Sequence, residues 1–103
     1  MNMEPHTILS ILSSRTRLEI LKILSSGPKN LMEIKDALDA SGVGIKYRES
    51  VYRALEKLVL AGLVDKLYVN GGRKVRYALA VEKVELETGT GRVTMVRRRE
   101  PMK

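Results

Sequence analysis

Up to about Gly62 the apolar residues of this chain recur every three or four positions, and from Asp65 onward they alternate. A switch from the 3.6-residue period of a helix to the 2-residue period of a strand puts helices first and strands after. With 103 residues there is room for one modest core. Phe, Trp and Cys are absent, so that core must be built from Leu, Ile, Val and Met, with Tyr at its margins. The lack of cysteine also removes disulfides, thiolate metal sites and thiol nucleophiles.

The helical half divides at its caps and breakers. Pro5 suits the first position of a short helix over about 5–13, with Ile8, Leu9, Ile11 and Leu12 on one side. Ser14 can cap a second helix, and Thr16 with Glu19 offers an alternative capping box slightly later. Its apolar stripe contains Leu18, Ile20, Leu21, Ile23 and Leu24, and Gly27-Pro28 ends it. Asn30 with Glu33 opens a third helix over 31–40, with Leu31, Ile34, Ala37 and Leu38 along one face, and "SGVG" (41–44) breaks it. The fourth, about 47–61, places Val51, Ala54, Leu55 and Leu58 on one face, with Gly62 near its end.

In the alternating half, Asn70-Gly71-Gly72 lies between Leu67/Val69 and Val75/Tyr77/Leu79. Asn and Gly tolerate the positive φ of a tight hairpin turn, so a hairpin over about 66–79 is expected. Lys74 and Arg76 alternate with the apolar residues of its second strand, predicting one basic and one apolar face. A second hairpin is expected from "VEKVELE", "TGTG" and "RVTMVRRR". Its basic end is either a strand terminus or an arm along a polyanion, and 99–103 are expected to fray.

Charge is unevenly placed. The five basic and five acidic side chains of residues 1–40 cancel, so the whole net charge of +7 lies in 41–103, which suggests a face for a polyanion. The fourth helix turns Glu49, Arg53, Glu56 and Leu60 away from its apolar stripe, with Ser50 and Lys57 on one margin and Tyr52 on the other. A helix fits the DNA major groove with its first turns innermost. Tyr47, Arg48, Glu49, Ser50 and Arg53 are then the candidate readers. Glu49 and Arg53, at i,i+4, equally suit an ordinary solvated pair.

Catalysis is not expected. The one histidine, His6, is near the terminus, "TGTGR" lacks the Lys and Ser/Thr of a phosphate-binding loop, and no His/Cys cluster suggests a metal or other cofactor. No apolar run reaches the roughly 20 residues that span a bilayer, and a soluble cytoplasmic protein is expected.

"LSSRTRLEILKIL" (12–24), "ESVYRALEKLVLAGLV" (49–64) and "DKLYVNGGRKVRYAL" (65–79) resemble the winged helix-turn-helix transcription regulators. The first is similar to the ArsR pattern, the second to the PadR-like one. The resemblance implies an α+β fold with a three- to four-helix core and a β-hairpin wing at 66–79. It also implies a DNA-binding domain over 1–81, to which the C-terminal strand pair of 82–103 is added. The implied activity is sequence-specific binding of double-stranded DNA by a homodimer. The implied contacts are Lys46, Tyr47, Arg48, Glu49, Ser50, Tyr52, Arg53 and Lys57 around the recognition helix, and Arg73, Lys74 and Arg76 on the wing. Three features depart from the pattern: a longer "DASGVGIKYR" turn, "NLMEI" in place of the metal-sensing cysteine motif, and strands where a dimerising helix is usual. Leu60, Ile8 and Ile11 are the apolar residues expected at a dimer contact. The acidic Glu49 and Glu56 keep open a winged helix that binds protein or RNA.

Overall fold

The computed structural model describes residues 4–98; the segment 99–103, expected to fray, lies outside them. Four helices, α1 (Pro5–Leu12), α2 (Arg15–Leu24), α3 (Leu31–Ala40) and α4 (Arg48–Leu60), are followed by four strands. These are β1 (Val64–Val69), β2 (Lys74–Leu79), β3 (Val81–Glu87) and β4 (Arg92–Arg97). They form two antiparallel hairpins, β1–β2 and β3–β4. The fold is α+β, a winged helix-turn-helix with an additional C-terminal hairpin.

Local chemistry explains where the helices start. The Ser14 hydroxyl accepts the Arg17 N–H and caps α2, so the later Thr16/Glu19 start is not the one adopted. At α3 the capping box is complete: Asn30 Oδ1 accepts the Glu33 N–H at 2.8 Å, and Glu33 Oε1 accepts the Asn30 N–H at 2.9 Å. Helix α4 begins one residue later than expected, because Tyr47 is its extended N-cap and offers no capping side chain.

The same device ends α3 and α4. Gly42 (φ 89°) and Gly62 (φ 79°) adopt the left-handed region. Beyond them the Val43 N–H donates to Leu38 O and the Leu63 N–H to Leu58 O, each at 3.0 Å. These are Schellman closures, and in each the two residues joined by the long bond are buried apolar side chains. Each helix therefore turns its chain back into the core as it stops. Val43, with the half-buried Ile45, pins the long 41–47 connection.

The core consists of Leu, Ile, Val and Ala with Tyr77, and no polar residue is buried among those described. Helix α4 packs on α2, α3 and β1, while α1 touches α2 and β4. Two expectations about faces need correction. Leu18 is 46% exposed, because the stripe of α2 is centred on Ile20 and Leu24, which have no exposure. Ile8 is 2% exposed and already belongs to the core, so it is not available to a partner.

One contact had no forewarning in the sequence. Lys29, between α2 and α3, pairs with Tyr77 of β2: Tyr77 N–H donates to Lys29 O at 2.8 Å and Lys29 N–H to Tyr77 O at 3.0 Å. The wing is thereby stitched to the helical layer on the side opposite its own hairpin partner.

Replacing Gly62 or Gly42 by Ala tests the closures. A Cβ on Gly62 would meet only Met95 Cε at 3.8 Å, and one on Gly42 would meet nothing within 4 Å. The cost is therefore that of the backbone alone, about 1–2 kcal/mol for a left-handed L-residue. Urea unfolding of both variants should show losses of this size that agree with each other.

Candidate nucleic-acid interface

Helix α4 spends its whole apolar stripe on the core: Val51, Leu55 and Leu58 have no exposure and Ala54 only 8%. The helix cannot roll without dragging these side chains into water, so its outward face is fixed. Arg48, Glu49, Ser50, Tyr52, Arg53 and Lys57 are all exposed there, as are Lys46 and Tyr47 just before it. Lys46 Nζ lies 5.5 Å from the centre of the Tyr47 ring. Arg48 reaches back toward α3, 4.0 Å from Met32 Sδ. No side chain caps the first amides of α4, in contrast to α2 and α3.

Arg53 and Glu49 are paired in the free protein, with Nη2 and Oε2 3.6 Å apart and side chains 77% and 83% exposed. Exposed pairs of this kind are worth about 0–1 kcal/mol. The guanidinium can therefore exchange its carboxylate for another acceptor at little cost.

Glu56 is placed differently from the sequence expectation. It is half-buried and accepts a hydrogen bond from Lys66 of β1 at 3.3 Å, while Lys66 Nζ also lies 5.4 Å from the centre of the Tyr52 ring. Lys66 is thus a strut between helix and wing, and Glu56 is compensated within the fold. The hydrogen bond to Glu56 raises the Lys66 pKa above its ordinary value, and burial raises that of the Tyr77 phenol.

In the wing, Asn70 (φ 53°), Gly71 (φ 67°) and Gly72 (φ 90°) make the tight tip, and Arg73, Lys74 and Arg76 are exposed. The expected alternation holds within β2, where Lys74 and Arg76 are exposed and Val75, Tyr77 and Leu79 are not, but the register mixes the two faces of the hairpin as a whole. Val69 lies opposite Lys74 and Leu67 opposite Arg76, and directly opposed residues share a face. The cations therefore share their side with Leu67 and Val69. Lys66, Val75 and Tyr77 share the other side, the one that meets α4 through Glu56. A loop of four residues, 70–73, sets this pairing, and the sequence offered no way to choose it over neighbouring registers.

Among the described residues no group of three or more His, Cys, Asp or Glu is placed to hold a metal ion. No helix among them is long and apolar enough to cross a membrane.

No protein-family model and no curated protein matches the chain. Solved structures do. The ferric uptake regulator of Pseudomonas aeruginosa, determined with manganese, is 25% identical with a TM-score of 0.57, over 82% of this chain and 66% of that one. The ferric uptake regulator of Vibrio cholerae, described through the rearrangement of its DNA-binding domains, is 24% identical with a TM-score of 0.57. That match covers 84% of this chain and 69% of the other. The present chain thus spans about two thirds of the length of these regulators. The likeness is one of winged-helix fold.

The two raised pKa values carry a pH dependence of stability. Both groups hold their proton more tightly when folded than unfolded, so their contribution is complete below their ordinary values, near pH 10, and is lost as pH rises through the folded ones. Thermal melting followed by circular dichroism should decline at alkaline pH. The decline should be shallower for Tyr77→Phe, which keeps the ring and removes the titrating hydroxyl.

Proposed function

We propose that this chain is a sequence-specific double-stranded DNA-binding transcriptional regulator that acts as a homodimer in the cytoplasm. Its DNA-binding domain is the winged helix-turn-helix, read from the sequence as 1–81, to which the hairpin of β3 and β4 is added. The observation that carries this reading is the first half of α4. There Arg48, Ser50 and Arg53 stand exposed around uncapped helix amides, on a face that the buried stripe holds in one direction. Amides and cations there suit phosphate and base edges alike. Tyr47, Glu49, Tyr52 and Lys57 complete the helix face and Lys46 precedes it. Arg73, Lys74 and Arg76 of the wing contact the backbone or minor groove. The net charge of +7 and the fold shared with two ferric uptake regulators support the same conclusion.

The PadR-like and ArsR-like motifs remain a resemblance of the helix and of α2 respectively, and they assign no effector. A protein- or RNA-binding winged helix drew on Glu49 and Glu56; with Glu56 held by Lys66, only Glu49 still favours it.

Dimerisation fits the far end of the same helix. Leu60 is 77% exposed and borders a groove of about 790 Å³ between the start of α1, the end of α4 and β4. In a two-fold dimer two recognition helices can meet successive major grooves.

Binding to duplexes selected from a random library should weaken steeply with salt, as counterions are released. Arg53→Glu should abolish the preference for the selected sequence with the fold intact by circular dichroism. No binding at low salt, or a selected sequence that Arg53→Glu still prefers, counts against the proposal. Separately, Leu60→Glu should convert a dimer to a monomer in sedimentation, and an unchanged mass would remove Leu60 from the interface.

A further inference from the structure

Beside the outward face of α4 the fold builds a cleft that joins it to the start of α2. It is a small open site of about 280 Å³ lined by Ser14, Thr16, Arg17, Ser50, Arg53 and Lys57, with apolar Ile45 and Ala54 completing the lining. Three cations and three hydroxyls converge there and no carboxylate lines it. Chance clustering of surface charge usually mixes signs; this lining does not.

Arg17 is held in position for such a role. Its Nε donates to Ile11 O at 2.6 Å, which ties the guanidinium to the end of α1. Among the described residues neither of its terminal amino groups has a protein acceptor, and no carboxylate pairs with it. Lys57 likewise has no acidic partner among the described residues. Arg53 has only its exposed link to Glu49, which a stronger acceptor can replace. The Ser14 hydroxyl accepts the Arg17 N–H, so its own proton is left to donate.

We infer that this cleft seats one phosphate of the duplex backbone, gripped by Arg17 and Lys57, and so sets how deeply α4 enters the groove. The inference rests on the proposed duplex binding and adds α2 to the contact surface. The geometry of the helix favours a backbone phosphate over a free one. Ser50 and Lys57 lie on one margin of α4 with Arg53 beside them on the outward face, at i, i+7 and i+3, and a helix in a groove about 12 Å wide has a phosphate wall running along each margin. A contact of this kind positions the protein without reading sequence.

The test compares the wild-type chain with Arg17→Gln and Lys57→Gln on a library-selected duplex and on a mixed-sequence duplex. Each variant should lose about threefold to tenfold in affinity, equally on both duplexes, and its salt slope should fall by about one. Scanning the selected duplex with single neutral methylphosphonates should find one position that weakens the wild type and leaves Arg17→Gln unaffected. Lys57→Gln guards against a folding defect, since Lys57 holds nothing else in place, and both variants are checked by thermal melting.

If the wild type binds duplex and both variants keep its affinity and slope, the cleft inference falls while the proposed function stands. If the wild type binds no duplex at all, both fall. Inorganic phosphate followed by amide chemical shifts separates the sources. Arg17-dependent shifts at residues of the cleft, with duplex affinity unchanged in the variants, would assign the site to a free phosphate and overturn the inference.

Discussion

The closure of α4 onto the core is the constraint from which the rest of the structure follows. Val51, Leu55 and Leu58 are withdrawn from water completely, and each such side chain contributes about 1.5–3 kcal/mol relative to an exposed one. Rotating the helix by a fraction of a turn would expose several of them at once. The Leu63 N–H bond back to Leu58 then locks its last turn and leads through buried Leu63 to Val64, the buried first residue of β1. One helix thereby fixes the outward polar face, the entry of the wing and the position of the strut from Lys66.

Polar groups refine this arrangement without being buried in it. Glu56 and Lys66 meet at a half-buried margin, where each neutralises the other and neither is fully desolvated. Arg53 and Glu49 meet in open solvent, where the same chemistry is worth little and is easily exchanged. These two acid–base pairs therefore differ in kind. One braces helix against wing, and the other leaves a cation ready for a competing anion.

The helices were legible because their signals are local. Ser14, the Asn30–Glu33 box, Gly42 and Gly62 each act within a few residues of the bond they control, and α3 has the bounds read from its sequence. The hairpins were legible from alternation and from Asn70-Gly71-Gly72. Facing was less so. Leu18 looks as apolar as Ile20 in any window of sequence, yet one is half in water and the other wholly buried. The side of the wing that carries Lys74 and Arg76 depends on a register that shifts with one residue of loop.

The sequence by itself determined the order of elements, the caps, the residues that must be buried in α4 and, as their complement, the exposed candidates from Lys46 to Lys57. Periodicity and side-chain chemistry are properties of a short stretch of chain, so they survive without a partner. Only the tertiary structure decided that Glu56 is bound to Lys66, that Lys29 joins the wing, that Ile8 is core, and that Arg17 stands beside Lys57. Each of these is a contact between separate elements of the fold. Which elements meet is settled by how the apolar stripes pack against one another, and no local pattern records it.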